Sequence, residues 1–151
     1  MSIVYTGGTF DLFHVGHVQL LAACRKIAGP DGKVIVAVNE DEFVEKFKGV
    51  KPTLSLIDRM KVLESCRYVD EVIGNFGWQD STVTITHVGP VDFVVIGDDW
   101  APPKDYYIQM GFTKDWLNEN EITLVYVDRN TGMSSTTIRQ RLSNPVEVIE
   151  P

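Results

Sequence analysis

Only two cysteines, Cys24 and Cys66, occur in 151 residues. That is too few for a disulfide framework, and their spacing is not that of a zinc site. Both fall on apolar stretches, where a buried free thiol is expected. Cations are scarce too: 14 Lys and Arg stand against 21 Asp and Glu, a formal net charge of −7. A nucleic-acid partner, which needs basic clustering, is thereby disfavoured, and an anionic ligand can bind only where the few cations converge. No apolar run approaches the roughly 20 residues needed to span a bilayer. The chain opens on a strand pattern rather than a basic stretch with an apolar leader. A cytoplasmic protein with no membrane span is the expectation.

What is present suits one domain. A globule of this length buries roughly 68–70% of its unfolded surface, and 44% hydrophobic with 23% charged residues is the composition of an ordered, soluble fold. Repeats, low-complexity tracts and linkers are lacking. Residues 1–144 are expected to form the domain, with 145–151, which carry Pro145 and Pro151, as a loose tail.

Short β-branched runs alternate with helical patterns. Ser2–Thr6, Lys33–Val38, Phe93–Ile96 and Ile122–Val127 read as strands, and a short strand starts at Glu71–Ile73. Val15–Ala28 reads as a helix with Leu20, Ala23, Cys24 and Ile27 on its buried face. Further helices are predicted over Leu56–Tyr68, residues 81–88 and Ser135–Leu142, while a polar run from Asn39 ends the second strand. This alternation predicts an α/β fold with a doubly wound parallel five-stranded sheet. Ligands bind such sheets beyond the carboxyl ends of the strands. The unusual residues indeed follow strands: Gly7–His17, Asn39–Lys51, Gly97–Trp100 and Arg129–Thr136.

The first of these loops reads Gly7-Gly8-Thr9-Phe10-Asp11-Leu12-Phe13-His14-Val15-Gly16-His17. It is neither a G-x-G-x-x-G fingerprint nor a Walker A loop. Its glycines allow close backbone approach, and the helix that follows presents N–H groups to phosphate. His14 and His17, three apart, share one face of the first turn. Two imidazoles there suit a polyphosphate, donating to oxygens that gain charge in a transition state. A histidine at a helix start is ordinarily a cap, and a metal pair would need more ligands than the nearby Asp11.

Residues 8–17 resemble the G-T-F-D-x-x-H-x-G-H signature of the cytidylyltransferases, within the HxGH nucleotidyltransferase superfamily. Arg129-Asn130-Thr131-Gly132-Met133-Ser134-Ser135-Thr136-Thr137-Ile138 is similar to the family's R-T-x-G-x-S-T-T-x-I, with Asn130 and Ser135 in place of Thr. Asp41-Glu42-Phe43, Arg67-Tyr68-Val69-Asp70-Glu71-Val72 and Gly97-Asp98-Asp99-Trp100 extend the likeness to the glycerol-3-phosphate group over about residues 3–142.

The resemblance implies a Rossmann-like nucleotidyltransferase fold and CMP transfer from CTP to a phosphorylated small alcohol, glycerol 3-phosphate foremost. It implies that Gly8, Thr9, Phe10, Asp11 and Gly16 bind CTP. His14 and His17 would hold the α- and β-phosphates, and Ser134, Ser135 and Thr136 would cap the last helix and meet phosphates. Arg129 and the lysines of the 46–51 segment would clamp the triphosphate, with the choice among Lys46, Lys48 and Lys51 left open by a one-residue length difference. Asp99 is expected near the cytosine amino group, with Asp98 ordering the loop. Asp41, Lys51, Arg59, Arg67, Asp70, Trp78 and Trp100 would give acceptor or structural support, with the tryptophans walling the acceptor or the base pocket and Asp70 tying down Arg67 by an ion pair.

Mg²⁺ would be held mainly by the triphosphate and water, with little protein ligation, and family members are typically homodimers. Each residue also has a plainer reading. A lysine run is ordinarily a solvated loop, Arg59 has no carboxylate among its helical neighbours, and either tryptophan can simply be packed. Two other functions stay open: an adenylyltransferase, because Met133-Ser134-Ser135-Thr136-Thr137-Ile138-Arg139 also looks like the I-S-S-T-x-x-R run, and a catalytically silent nucleotide-binding module.

Overall fold

The computed structural model describes residues 1–97, 107, 110–127 and 133–143. Asp98, Asp99, Trp100, Arg129, Asn130 and the tail therefore lie outside the described residues. Strands β1 (Ile3–Gly8), β2 (Lys33–Asn39), β3 (Glu71–Asn75), β4 (Phe93–Gly97) and β5 (Thr123–Val127) form one all-parallel sheet. Their order is β3-β2-β1-β4-β5. The helices are α1 (Val15–Ala28), α2 (Asp41–Lys48), α3 (Leu56–Glu64), α4 (Ser81–Val88), α5 (Lys114–Glu119) and α6 (Ser135–Ser143).

Alternation along the strands splits the core in two. On one face Val4, Val34, Val36, Val38 and Val95 pack with Leu21, Cys24 and Ala28 of α1 and Leu63 of α3. On the other, Tyr5, Ala37, Val94 and Ile96 pack with Ile85 of α4, Phe112 and Leu117 of α5. Helices on both faces make the sheet doubly wound, the Rossmann-like arrangement expected. From β1 the chain winds outward through β2 and β3, then returns to β4 on the other side, so the switch point lies between β1 and β4. There β1 pairs with β2 up to Gly8, but with β4 only at Val4 and Tyr5. The buried Thr6 hydroxyl supplies the next bond, donating to the Val95 carbonyl at 2.8 Å. Beyond it the strand ends part.

Several elements differ from the sequence expectation. The polar run after β2 is helix α2, favoured by Asp41 and Glu42 in its first turn and closed by Gly49 in the left-handed region (φ 84°). Helix α3 stops at Glu64 rather than Tyr68, β3 extends to Asn75, and α5, capped by the Thr113 hydroxyl, was not anticipated. The buried face of α1 is Leu21, Cys24 and Ala28, one step round from the predicted stripe, with Leu20 and Ile27 at its edges. Both cysteines are free, but only Cys24 is buried, which pushes its thiol up to about 12; Cys66 is half-buried. Asp70 pairs with Arg25, not with Arg67, and accepts the Val34 N–H at 2.7 Å. Arg67 is exposed and donates to the Tyr68 hydroxyl.

Arg59 is the largest correction to its plainer reading. It is fully buried, not a solvated cation. Its guanidinium donates to the carbonyls of Thr9 (2.7 Å), Asn39 (2.8 Å) and Leu54 (3.0 Å) and pairs with Asp41 at 2.6 Å. Four segments at the carboxyl edge of the sheet thus share one cation. Arg59→Met would strand three carbonyls and a carboxylate, so it is expected to lower the unfolding free energy by about 3 kcal/mol, measured by urea denaturation.

Candidate active site

Over the parted strand ends lies a cavity of about 520 Å³. The β1–α1 loop forms its floor. Phe10 (φ 53°) and Leu12 (φ 50°) both occupy left-handed backbone, a strain of about 1–3 kcal/mol each that the surroundings must hold. Phe10 is held by burial in the α1-side core. Asp11 is buried, and its carboxylate accepts from the N–H groups of Thr53 (2.7 Å) and Leu54 (2.9 Å) and from Arg139 (3.0 Å). Burial alone would raise the Asp11 carboxyl. The Leu54 and Thr53 N–H groups, the Thr53 side chain and the Arg139 charge more than offset this, and hold it below the usual carboxylate range.

The two histidines lock each other. His14 is the N-cap of α1, and its Nδ1 accepts the Gly16 N–H at 3.0 Å. The His17 Nδ1 accepts the His14 N–H at 3.2 Å, closing a reciprocal cap of the kind normally built from Ser and Glu. An Nδ1 that accepts carries no proton, so each ring is an Nε2–H tautomer. The rings stack with centroids 3.8 Å apart, and Phe10 and Phe13 lie 5.2 and 5.4 Å from His17. Gly16 has no room for a side chain, since a Cβ there would come within 2.8 Å of the His14 Cε1.

Cations share this cavity. Lys48 and Lys51 line the cavity, as does Arg139 of α6. Desolvation, then the Arg139 charge, pulls the Lys48 pKa below the ordinary lysine value; Asp11 opposes this and Arg59 adds to it. An anion in the cavity would relieve that excess. Ser134 caps α6, accepting the Thr137 N–H at 3.0 Å, and the Ser135 hydroxyl donates to the Asp11 carbonyl. Thr136 faces the cavity beside them, so the N-terminus of α6 confronts that of α1.

Of the residues singled out from sequence, Gly8, Thr9, Phe10, Asp11, His14, His17, Lys48, Lys51, Trp78, Ser134, Ser135 and Thr136 line this one cavity. Lys46 instead lies over the Trp78 ring, 5.8 Å from its centroid. Asp41 and Arg59 brace the rim from beneath, Gly16 makes room for His14, and Arg67 and Asp70 stand away from the site. Sequence reasoning missed Arg139 as a cavity residue, although it stands four positions after Ser135, on the same helix face. It also missed Asn39 and Asn75. Asn39 Nδ2 donates to the Thr9 hydroxyl (3.2 Å), Asn75 Nδ2 donates to the Asn39 Oδ1 (2.8 Å), and Asn75 Oδ1 accepts from Thr84 (2.8 Å). Among the described residues no three His, Cys, Asp or Glu side chains gather as metal ligands.

A family model described as cytidylyltransferase-like matches residues 5–141. The chain belongs to the cytidylyltransferase-like family. It is 35% identical over 144 residues to a glycerol-3-phosphate cytidylyltransferase of Bacillus subtilis (strain 168), covering 95% of this chain and 98% of that relative. It is 31% identical over 140 residues to an FAD synthase of Korarchaeum cryptofilum (strain OPF8), covering 92% and 90%. Among solved structures, the lipopolysaccharide core biosynthesis protein from Thermoplasma volcanium GSS1 superposes with a TM-score of 0.67 at 21% identity, over 87% of this chain and 99% of that one. That likeness bears on the fold alone.

In this cytidylyltransferase-like chain Asp11 also couples stability to acid. Its pKa is lower folded than unfolded. Its contribution is therefore full above the ordinary carboxylate value of about 3.9 and is lost as pH falls through the depressed folded value. Asp11→Asn is expected to flatten that part of the acid-unfolding profile, read as the unfolding midpoint at successive pH values.

Proposed function

We propose that this chain is a nucleotidyltransferase that moves CMP from CTP to a phosphorylated small alcohol, glycerol 3-phosphate first among them, releasing pyrophosphate. The observation that carries the reading is the locked pair of Nε2–H imidazoles lining a cavity shared with Lys48, Lys51, Arg139 and two helix N-termini. An acceptor phosphate oxygen attacks the α-phosphorus in line. The new P–O bond forms as the bond to the bridging oxygen breaks, and pyrophosphate leaves with that electron pair. The acceptor phosphate has a second pKa near about 6 and needs no general base. This fits a site of donors and cations in which Asp11, the one lining carboxylate among the described residues, has its oxygens already engaged.

His14 and His17 donate to phosphate oxygens as charge moves toward the leaving group. Lys48, Lys51 and Arg139 neutralise the triphosphate. Mg²⁺ enters as part of the CTP substrate, held by phosphates and water. Likeness to the Bacillus enzyme over nearly the whole chain supports the acceptor. Resemblance to homodimeric family members supports a homodimer, and the family match over residues 5–141 supports a single domain. A cytoplasmic setting remains part of this reading. A second reading, adenylyl transfer from ATP, draws on Arg139 after Ser134 and Ser135 and on the likeness to an FAD synthase. Asp99 and Trp100 speak for CTP by resemblance.

Pyrophosphate release with each of four nucleoside triphosphates and a panel of phosphorylated alcohols tests the reading. CTP with glycerol 3-phosphate is expected to lead, and ATP in that place would shift the assignment to adenylyl transfer. His14→Ala or His17→Ala should lower kcat by roughly 100-fold or more with the fold intact by circular dichroism. Lys48→Ala should cost about 10–100-fold in kcat/KM for CTP, while Lys46→Ala, whose ammonium lies over Trp78, should change it by less than about threefold.

A further inference from the structure

The cavity extends past the histidines toward α4, and there its character changes. Tyr5 of β1 is 1% exposed and lines the cavity. Its hydroxyl has no hydrogen-bond partner among the described residues, yet no described polar side-chain atom is both sealed off and unpartnered. The phenol oxygen therefore opens into the cavity. Gly7 lies beside it: a Cβ there would come into van der Waals contact with the hydroxyl at 3.6 Å. Ser81 is likewise buried, its hydroxyl donating only to the weakly accepting Met110 thioether at 3.6 Å. Trp78 closes the outer side in left-handed backbone (φ 55°), fixed by a 2.7 Å bond from its indole N–H to Glu40.

Among the described residues the lining of this end offers hydroxyls and no carboxylate. Among the described residues a cationic tail would find no counter-charge there. A tail with hydroxyls would find donors already desolvated and aimed.

We propose that this side of the cavity receives a neutral, hydroxylated tail of the phosphorylated acceptor, with the Tyr5 hydroxyl as its recognition donor. The inference rests on the transfer reaction proposed above. Burial pushes the Tyr5 phenol above its ordinary range, so it stays protonated as a donor. Selectivity then comes from pairing a buried hydroxyl, since an analogue lacking the matching group leaves it unsatisfied.

The test compares the full chain with Tyr5→Phe, using CTP with glycerol 3-phosphate, propyl phosphate or ethanolamine phosphate. Wild type should prefer glycerol 3-phosphate. Tyr5→Phe should raise the KM for that acceptor about tenfold, narrow its advantage over propyl phosphate, and leave the KM for CTP and the melting temperature in place. Gly7→Ala, which sets a methyl against the hydroxyl, should move the acceptor KM the same way. An unchanged acceptor preference in both variants, an effect confined to CTP, or a wild type favouring ethanolamine phosphate overturns the inference. A wild type that transfers CMP to none of the three sinks the transfer reading itself.

Discussion

The site depends on one buried guanidinium. Where parallel strands end, their last carbonyls lose ladder partners, and a carbonyl left dry and unpaired is costly. Arg59 meets the carbonyls of Asn39, which ends β2, Thr9, just past β1, and Leu54, in the loop before α3, and anchors Asp41 at the start of α2. The planar fork of five donors suits this task; a lysine would supply a single point charge and fewer directions. Asp11 is its complement in sign. It collects N–H groups from Thr53 and Leu54 and the Arg139 charge. Leu54 is thus gripped at both ends, its N–H by the carboxylate and its carbonyl by the guanidinium. The segment carrying Lys51 is held beside the cavity from two directions.

That bracing gives the loop of left-handed residues its purpose. Phe10 and Leu12 turn the chain sharply enough to bring Asp11 beneath the cavity and His14 to the head of α1. Core packing around Phe10 and the bond from Ser135 to the Asp11 carbonyl hold the turn from two sides. The N-termini of α1 and α6 then face one space, where their partial positive charges add to those of Lys48, Lys51 and Arg139. An acidic chain thereby sets several positive groups around one cavity.

Much of this was legible in the sequence because it is local. Strand and helix alternation followed from β-branched runs and amphipathic spacing, and the contiguous residues 8–17 and 129–138 carried the family resemblance. What escaped reading was non-local. No sequence spacing links Arg59 to Asp41, Thr9 and Asn39, or Arg25 to Asp70 across 45 positions. For the same reason Asp70 was matched to the nearer Arg67, which turns outward instead onto the Tyr68 ring. Helix α2 was hidden by its polar composition: its buried contribution is chiefly Phe43 and Val44, too short a stripe to show a period. The roles of Tyr5 and Ser81 were hidden in the opposite way, as ordinary residues of a strand and a helix.

The mutual cap of His14 and His17 has a consequence for the chemistry available. Both Nδ1 lone pairs are occupied by the first turn of α1, so a second proton on either ring would turn an acceptor into a donor aimed at an N–H and fray the helix start. These imidazoles are built as fixed dipoles and not as proton carriers. The geometry of the pair is therefore set by the first turn of the helix itself, before any ligand arrives.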